Sequence, residues 1–217
     1  MACAICQQRR PKRFCPGVRG DICSICCGTE REVTVTCPLD CEYLRDARRH
    51  EKPIPLEAAS IPNQDIRVSE NFLEENEALL LFLGGRLAAA AMDTPGVSDS
   101  DVRDALEALV RTYRTLQSGV YYETRPENAL AKTLFDAVQS AVAEFRAQEQ
   151  ERHGIPKTRD RDVLGSLVFL QRLELDRHNG RHRGRAFIDL LRSFYEAPSA
   201  RAGTGGAGPL GSALTLR

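Results

Sequence analysis

Apolar side chains recur every three or four positions from about residue 69 onward, which is the spacing of a helix with one buried face. The first such stretch begins after Ser69, a residue type that caps helix N-termini, and runs to about Met92. Four further helices are predicted at about 98–117, 126–152, 161–177 and 183–195. This pattern indicates an all-α bundle of about five helices over residues 69–196.

Residues 1–52 lack that period and contain few large apolar side chains, yet they hold all eight cysteines of the chain. A segment with so small a core needs a metal or a similar cross-link in order to fold. We therefore expect a small zinc-stabilised N-terminal module, irregular apart from short hairpins and one helix that starts near Pro38. Prolines indicate a linker over residues 53–68, and the Gly- and Ala-rich residues 197–217 are predicted to be disordered.

Charge is balanced over the whole chain but uneven along it. The 217 residues include 30 basic and 30 acidic side chains, so the net charge gives no preference for nucleic acid or membrane. Residues 54–108 hold eleven acidic and three basic side chains, whereas residues 171–192 hold six arginines. The predicted turn at 177–185 is interpreted either as a binding loop for an acidic surface or phosphate, or as a polar turn whose arginines pair with the acidic first helices.

Membrane insertion is not expected from the apolar runs. The longest, residues 78–92, has about 15 residues, whereas a spanning helix needs about 20. The N-terminus carries no apolar signal segment. We therefore expect a cytoplasmic protein, and in a reducing compartment clustered cysteines bind metal more often than they form disulfides.

Two Cys-x-x-Cys turns dominate the N-terminal module, one formed by Cys3 and Cys6 and the other by Cys23 and Cys26, with sixteen residues between them. This spacing is typical of a four-cysteine zinc site, since zinc prefers four thiolate or imidazole ligands in a tetrahedron. Cys27 follows Cys26 directly. Because neighbouring side chains point apart in extended or turn backbone, these two cysteines are assigned to different ions.

The spacing therefore predicts two structural zinc ions whose ligands interleave along the chain. The first site has the ligands Cys3, Cys6, Cys23 and Cys26. The second site has the ligands Cys15, Cys27, Cys37 and Cys41, with His50 as a reserve ligand. The alternatives are one structural zinc with spare thiols, and disulfide or iron–sulfur chemistry. Closed four-thiolate sites leave no position for substrate, so no catalytic residue is assigned.

The order of these cysteines resembles that of the cross-brace zinc fingers, the class that contains RING, B-box and HIT-type fingers. The resemblance covers about residues 3–50 and rests on the two Cys-x-x-Cys turns, the neighbours Cys26 and Cys27, and the pair Cys37 and Cys41. It implies a rigid docking surface, usually for another protein.

We therefore expect a zinc-finger adaptor or regulatory protein that binds a protein partner through its zinc module and helical domain. One alternative is a nucleic-acid-binding protein, because basic side chains cluster at two places. The candidate anion contacts are Arg9, Arg10, Lys12, Arg13, Arg181, Arg183 and Arg185. A further alternative is an enzyme of unrecognised type in the helical domain, although the chain contains no zinc-protease, nucleophile-elbow or P-loop motif.

Overall fold

The computed structural model describes residues 2–52, 54–120 and 122–196, and the tail predicted at 197–217 lies outside them. Within these ranges the chain is mostly helical, with one two-stranded antiparallel sheet near its N-terminus. The N-terminal elements are β1 (Arg13–Cys15), β2 (Gly20–Ile22), α1 (Ser24–Glu30) and α2 (Glu42–Arg48). The later helices are α3 (Glu70–Glu75), α4 (Glu77–Asp93), α5 (Asp99–Gln117), α6 (Ala129–His153), α7 (Asp160–Arg177) and α8 (Ala186–Glu196).

The helical interpretation of the chain after residue 69 is confirmed, with one interruption. Ser69 caps α3 by accepting a hydrogen bond from the backbone N–H of Phe72 at 3.3 Å. The first predicted helix divides at Asn76, whose backbone leaves helical geometry and whose side-chain amide donates to the Phe72 carbonyl at 2.9 Å. The bundle therefore has six helices rather than five. Asn128, and not Pro126, marks the start of α6, because its side chain accepts from the backbone N–H of Leu130.

A single apolar core runs through the bundle. Helix α5 lies against α6 and α7, and α4 lies against α6 and α8. Fully buried side chains from the five helices α4 to α8 meet in this core, among them Leu83, Leu106, Phe135, Leu167 and Phe187. The helical part therefore has the apolar interior it needs, and none of its core residues is a cysteine.

The N-terminal module, described here over residues 2–52 and called the cysteine module below, has a small core of its own. Cys3, Ile22, Cys23 and Cys26 are buried together. The hairpin β1–β2 pairs Phe14 with Asp21 across its middle.

The cysteine module contains two helices, whereas the sequence predicted one. Helix α1 was missed because its cap is a cysteine: the Cys23 sulfur accepts the backbone N–H of Cys26 at 3.4 Å. The predicted helix near Pro38 begins later, at Glu42, since residues 38–41 form a turn in which the Cys41 N–H bonds the Pro38 carbonyl at 3.1 Å.

The stretch predicted as a linker packs against the bundle in its second half. The Asn63 side-chain amide donates to Gln171 Oε1 at 2.7 Å, and Arg172 donates to the carbonyls of Asn63 and Ile66 at 2.6 and 3.0 Å. Among the described residues, the helices are too short or too polar to cross a lipid bilayer.

Candidate metal centre

The first quartet of cysteines comes together in the cysteine module. The four sulfur atoms of Cys3, Cys6, Cys23 and Cys26 all lie within 4.8 Å of one another. Tetrahedral zinc with Zn–S bonds of about 2.3 Å needs sulfur atoms about 3.8 Å apart, so a small contraction brings these four into coordination. All eight cysteines are free thiols. The group can therefore hold one metal ion.

Local structure explains how residues far apart in sequence reach this arrangement. Cys3 and Cys6 lie on a loop before β1, whereas Cys23 follows β2 directly and Cys26 lies in the first turn of α1. The backbone N–H of Ala4 bonds the Asp21 carbonyl at 2.9 Å, which places the first turn beside the end of β2. The backbone N–H of Cys23 donates to the Cys3 sulfur at 3.3 Å, which joins the two turns directly.

Two sulfurs of the first quartet, those of Cys3 and Cys26, differ strongly in acidity. Burial opposes ionisation of Cys3, but backbone hydrogen bonds from Cys6, Cys23 and Ile5 outweigh it and lower the pKa of Cys3 to about 6. Burial and the neighbouring cysteine sulfurs raise the pKa of Cys26 to about 12. The protein therefore stabilises the thiolate of Cys3 and opposes ionisation of Cys26. A bound divalent cation would favour ionisation of Cys26 as well, because it compensates the negative charge of the neighbouring sulfurs.

The second quartet lies around one small, partly open cavity. Cys15, Cys27, Cys37 and Cys41 are among the residues that line this space of about 20 Å³, which is about the size of one water molecule. Its sulfurs are less closely gathered, since among the described residues only the first quartet has every ligand atom within 4.8 Å of the others. Burial raises the pKa of Cys37.

Two guanidinium groups lie beside the second quartet. Arg13 Nη1 is 3.7 Å from the Cys27 sulfur, and Arg31 Nη2 is 3.9 Å from the same atom. The Arg13 guanidinium also stacks 4.0 Å from the centre of the Tyr43 ring. These two guanidinium groups place positive charge next to one sulfur of the second quartet.

His50, the predicted reserve ligand, is exposed and is not part of the four-cysteine group found among the described residues. Its backbone N–H donates to the Ala47 carbonyl just after α2, at 3.0 Å. Its role as a reserve ligand of the second quartet stays a prediction.

The basic segment near the N-terminus divides into two kinds of side chain. Arg9 faces the first quartet, where a hydrogen bond to Cys23 and the nearby Cys6 thiolate raise the pKa of its guanidinium. Arg13 faces the second quartet. Arg10 and Lys12 are exposed. Half of this predicted anion-binding cluster is therefore directed at cysteine sulfurs.

Residues 178–185, called the arginine turn below, contact the cysteine module through two arginines. Arg181 Nη1 donates to the Arg31 carbonyl at 2.6 Å, and Arg183 Nη1 donates to Thr36 Oγ1 at 2.9 Å. The interpretation that the arginines of this turn pair with the acidic helices is therefore wrong for these two side chains. Arg185 of the same turn reaches α4, where its Nη2 donates to the Ala91 carbonyl at 3.5 Å.

Glu32 is the residue at this contact that the sequence analysis missed. It is fully buried, and its carboxylate accepts hydrogen bonds from Arg48 Nη2 at 2.7 Å, the Arg185 N–H at 3.1 Å and Asn179 Nδ2 at 2.8 Å. Its backbone φ of +52° lies in the left-handed region. A lone glutamate in a loop carries no sequence signal of burial, because all of its partners except Arg48 lie about 150 residues away along the chain.

A groove of about 330 Å³ between α5 and α7 is a concave feature that bears on the enzyme alternative. Three arginines line it, and each is paired: Arg103 with Glu174, Arg111 with Glu107 and Arg114 with Asp65. Its lining residues include no cysteine, serine or histidine. The groove therefore offers neither a nucleophile nor an unpaired cation.

The four-cysteine cluster is the functional feature that the structure itself shows. The cross-brace resemblance rests on the cysteine spacing alone, because no family model, curated protein or solved structure matches this chain.

Proposed function

We propose that this protein is a zinc-binding adaptor whose cysteine module holds two structural zinc ions and presents a surface to a protein partner. The observation that carries the proposal is the gathering of four sulfurs from two Cys-x-x-Cys turns within 4.8 Å. Zinc is the metal that such a tetrahedral thiolate set suits, and the cysteine spacings are not those of ferredoxin clusters. A closed site leaves no position for substrate, which favours a binding role over catalysis.

The second zinc is proposed for the second quartet. The four cysteines of this quartet line one small cavity, and a turn at 38–41 together with the start of α2 brings in the last of them. Four thiolates around one Zn²⁺ carry a net charge of about −2, which is costly where water is excluded. The guanidinium groups of Arg13 and Arg31 at the Cys27 sulfur compensate part of this charge.

Exposed apolar side chains on the cysteine module support a protein partner. Phe14 on β1 is 60% exposed and Ile25 on α1 is 53% exposed. Large apolar residues held in water on a rigid module are the kind of group that is buried on association. The nucleic-acid alternative is supported less, because Arg9, Arg13, Arg181 and Arg183 are already engaged within the chain. Free thiols in both quartets suit a reducing compartment such as the cytoplasm.

Native mass spectrometry of the full chain, with and without a zinc chelator, tests the metal part of the proposal. We expect two zinc ions per chain that the chelator removes. The double variant Cys3→Ser/Cys6→Ser should lose one of them, because it removes two of four ligands at the first quartet. A chain that carries one ion contradicts the second site, and a metal-free folded module contradicts both.

Affinity purification under reducing conditions tests the adaptor part. The double variant Phe14→Ser/Ile25→Ser should lose proteins that the wild type recovers. The matched control is Val120→Ser/Ile155→Ser, which changes two similarly exposed apolar residues on the helical part. Equal recovery by both variants contradicts the proposed surface, and retention on DNA or RNA that falls steeply with salt favours the nucleic-acid alternative instead.

A further inference from the structure

The cysteine module is joined to the bundle at two buried points, and both lie between ligands of the second quartet. Glu32 lies on the segment between Cys27 and Cys37, whose residues 28–36 are called the docking loop below. Leu39 lies between Cys37 and Cys41 and is 4% exposed within the core of the bundle. The sequence placement of both points ties them to the same set of cysteines.

At the first point, the docking loop places a charge where water does not reach. Besides the three hydrogen bonds to its carboxylate, Glu32 accepts the Arg183 N–H at its backbone carbonyl, at 2.8 Å. Arg48 of α2 also pairs with Asp189 of α8, so one arginine bridges the module and the bundle. A buried carboxylate keeps its charge only while these partners stay in place, so the contact depends on the shape of the docking loop.

That shape depends on the ends of the loop. Within it, the N–H groups of Val33, Thr34 and Val35 all bond the Glu30 carbonyl, at 3.0 to 3.2 Å, which makes one tight turn. The loop starts within the end of α1, which holds Cys27, and continues to Cys37 with one isolated β-bridge between Arg31 and Val35. An ion that holds both cysteines closes this loop, and loop closure removes conformations that the free loop would otherwise sample.

The first quartet lies in the small core of the module. Its sulfurs pack there with Ile22 and Ile5, and Cys15 and Cys27 of the second quartet pack against the same core. Glu32 and Leu39, which reach the bundle, lie along the chain between ligands of the second quartet.

We propose that metal binding at the second quartet holds the cysteine module against the helical bundle, so that loss of this ion releases the module and uncovers the arginine turn. The inference rests on the proposed second zinc. It assigns that ion a role in joining the two parts of the chain, in addition to a role in folding the module.

Hydrogen–deuterium exchange of the full chain, read by mass spectrometry, tests the inference. The reporters are the backbone N–H groups of Arg183 and Arg185, which bond Glu32 across the junction. In Cys37→Ser/Cys41→Ser, which removes two ligands of the second quartet, we expect these amides to exchange about tenfold faster or more. Amides in the middle of α6 should keep their protection, because they lie in the core of the bundle.

The metal count separates the two levels of the proposal. If native mass spectrometry finds that Cys37→Ser/Cys41→Ser retains two zinc ions, the second site itself is wrong. If one ion is lost and the Arg183 and Arg185 amides stay protected, the second site stands and its role at the junction is wrong. If the α6 amides also lose protection in this variant, the same exchange measurement is made on the wild type at several points of a chelator titration. The inference then requires that exchange at Arg183 and Arg185 rises as one ion is lost.

A charge variant tests the junction without removing ligands. Glu32→Gln should keep two zinc ions and still speed exchange at Arg183 and Arg185, because an amide cannot accept all the hydrogen bonds that the carboxylate accepts. The matched control is Glu30→Gln, whose carboxylate bonds Thr29 and Thr34 on its own loop. Unchanged exchange in Glu32→Gln contradicts the inference.

Discussion

At the residue scale, two buried carboxylates show how differently the same chemical group can be held. Glu32 is paired with a guanidinium, whereas Asp99 accepts only backbone donors among its described hydrogen bonds. These are the N–H groups of Phe187 at 3.0 Å and Ile188 at 3.1 Å, in the first turn of α8. Asp99 thereby satisfies donors that a helix N-terminus leaves unpaired. It also joins the start of α5 to the start of α8.

The stability of the protein should depend on pH through Asp99. Burial, opposed by the two backbone hydrogen bonds, raises the pKa of Asp99 to about 7, with Glu174 and Glu32 adding to the shift. A carboxyl group whose folded pKa is raised contributes stability below the unfolded value of about 4, and loses it as pH rises towards 7. Between these limits, the free energy of unfolding of wild type should fall relative to Asp99→Asn by on the order of 2–4 kcal/mol.

Denaturant unfolding of both proteins across this pH range measures the difference. A difference that does not vary with pH contradicts the prediction.

Two glycines of the cysteine module should respond oppositely to alanine. A Cβ on Gly17 would lie 2.6 Å from the backbone oxygen of Thr36, whereas a Cβ on Gly28 meets nothing within 4 Å. Gly17→Ala should lower the stability of the folded module by on the order of 1–3 kcal/mol, because the backbone at Gly17 and at Thr36 must shift. Gly28→Ala, inside α1, should leave that stability unchanged or raise it by up to about 1 kcal/mol. Competition with a chromophoric chelator compares the two variants. Because a destabilised module holds its ions less tightly, zinc should leave Gly17→Ala more readily than Gly28→Ala. Equal zinc retention by the two variants would speak against the close approach of Thr36.

At the scale of elements, helix contacts in the bundle depend on small residues at particular positions. Gly165 of α7 lies under the Phe72 ring of α3, and Gly84 of α4 lies under the Tyr195 hydroxyl of α8. A short helix such as α3 has little stability of its own, so its position is decided by what it packs against. The Phe72 ring on Gly165 therefore helps to hold α3 in place.

Gly165→Ala should weaken the contact between α3 and α7. The new Cβ would lie 2.4 Å from the tip of the Phe72 ring, which forces the ring or the helix to move. We expect a loss of about 1–3 kcal/mol in the free energy of unfolding. The double variant Phe72→Leu/Gly165→Ala should cost less than the sum of the two single changes, because the shorter side chain clears the methyl group. Additive costs in this double-mutant cycle would show that the two residues do not meet.

At the scale of the whole molecule, the two parts of the chain obtain their stability from different sources. The bundle buries a continuous set of Leu, Val, Ala and Phe side chains, whereas the core of the cysteine module consists mainly of its own metal-ligand candidates. Burial of apolar area stabilises the first without any ion, and under the proposed zinc sites we expect the second to depend on ligation.

Removal of metal should therefore unfold the cysteine module and leave the bundle folded. With excess chelator and reductant, far-UV circular dichroism should retain most of its helical signal, since α1 and α2 have seven residues each and α5 and α6 have 19 and 25. Limited proteolysis should then cut within residues 2–52 and spare α4 to α8. Loss of the whole helical signal on chelation would show that the bundle depends on the metal as well.

Part of this organisation is visible in the sequence because it is local. A helix places residues three and four apart on one face, so the apolar spacing predicts α4 to α8 to within a few residues. A Cys-x-x-Cys turn places two sulfurs on one side of a short loop, so the four cysteines of the first quartet could be grouped before any coordinates were known. In both cases the interacting groups lie close together along the chain.

The remaining features depend on tertiary contacts. The division at Asn76 comes with the bond from its side-chain amide to the Phe72 carbonyl, which no apolar period records. The burial of Glu32, the engagement of Arg181 and Arg183, and the close approach of Thr36 to Gly17 join residues 19 to about 150 positions apart. Sequence alone therefore determined where the long helices of the bundle lie and that Cys3, Cys6, Cys23 and Cys26 can share an ion. Only the tertiary structure decided that the arginine turn faces the cysteine module, because the energy of a buried charge depends on partners brought together by the fold.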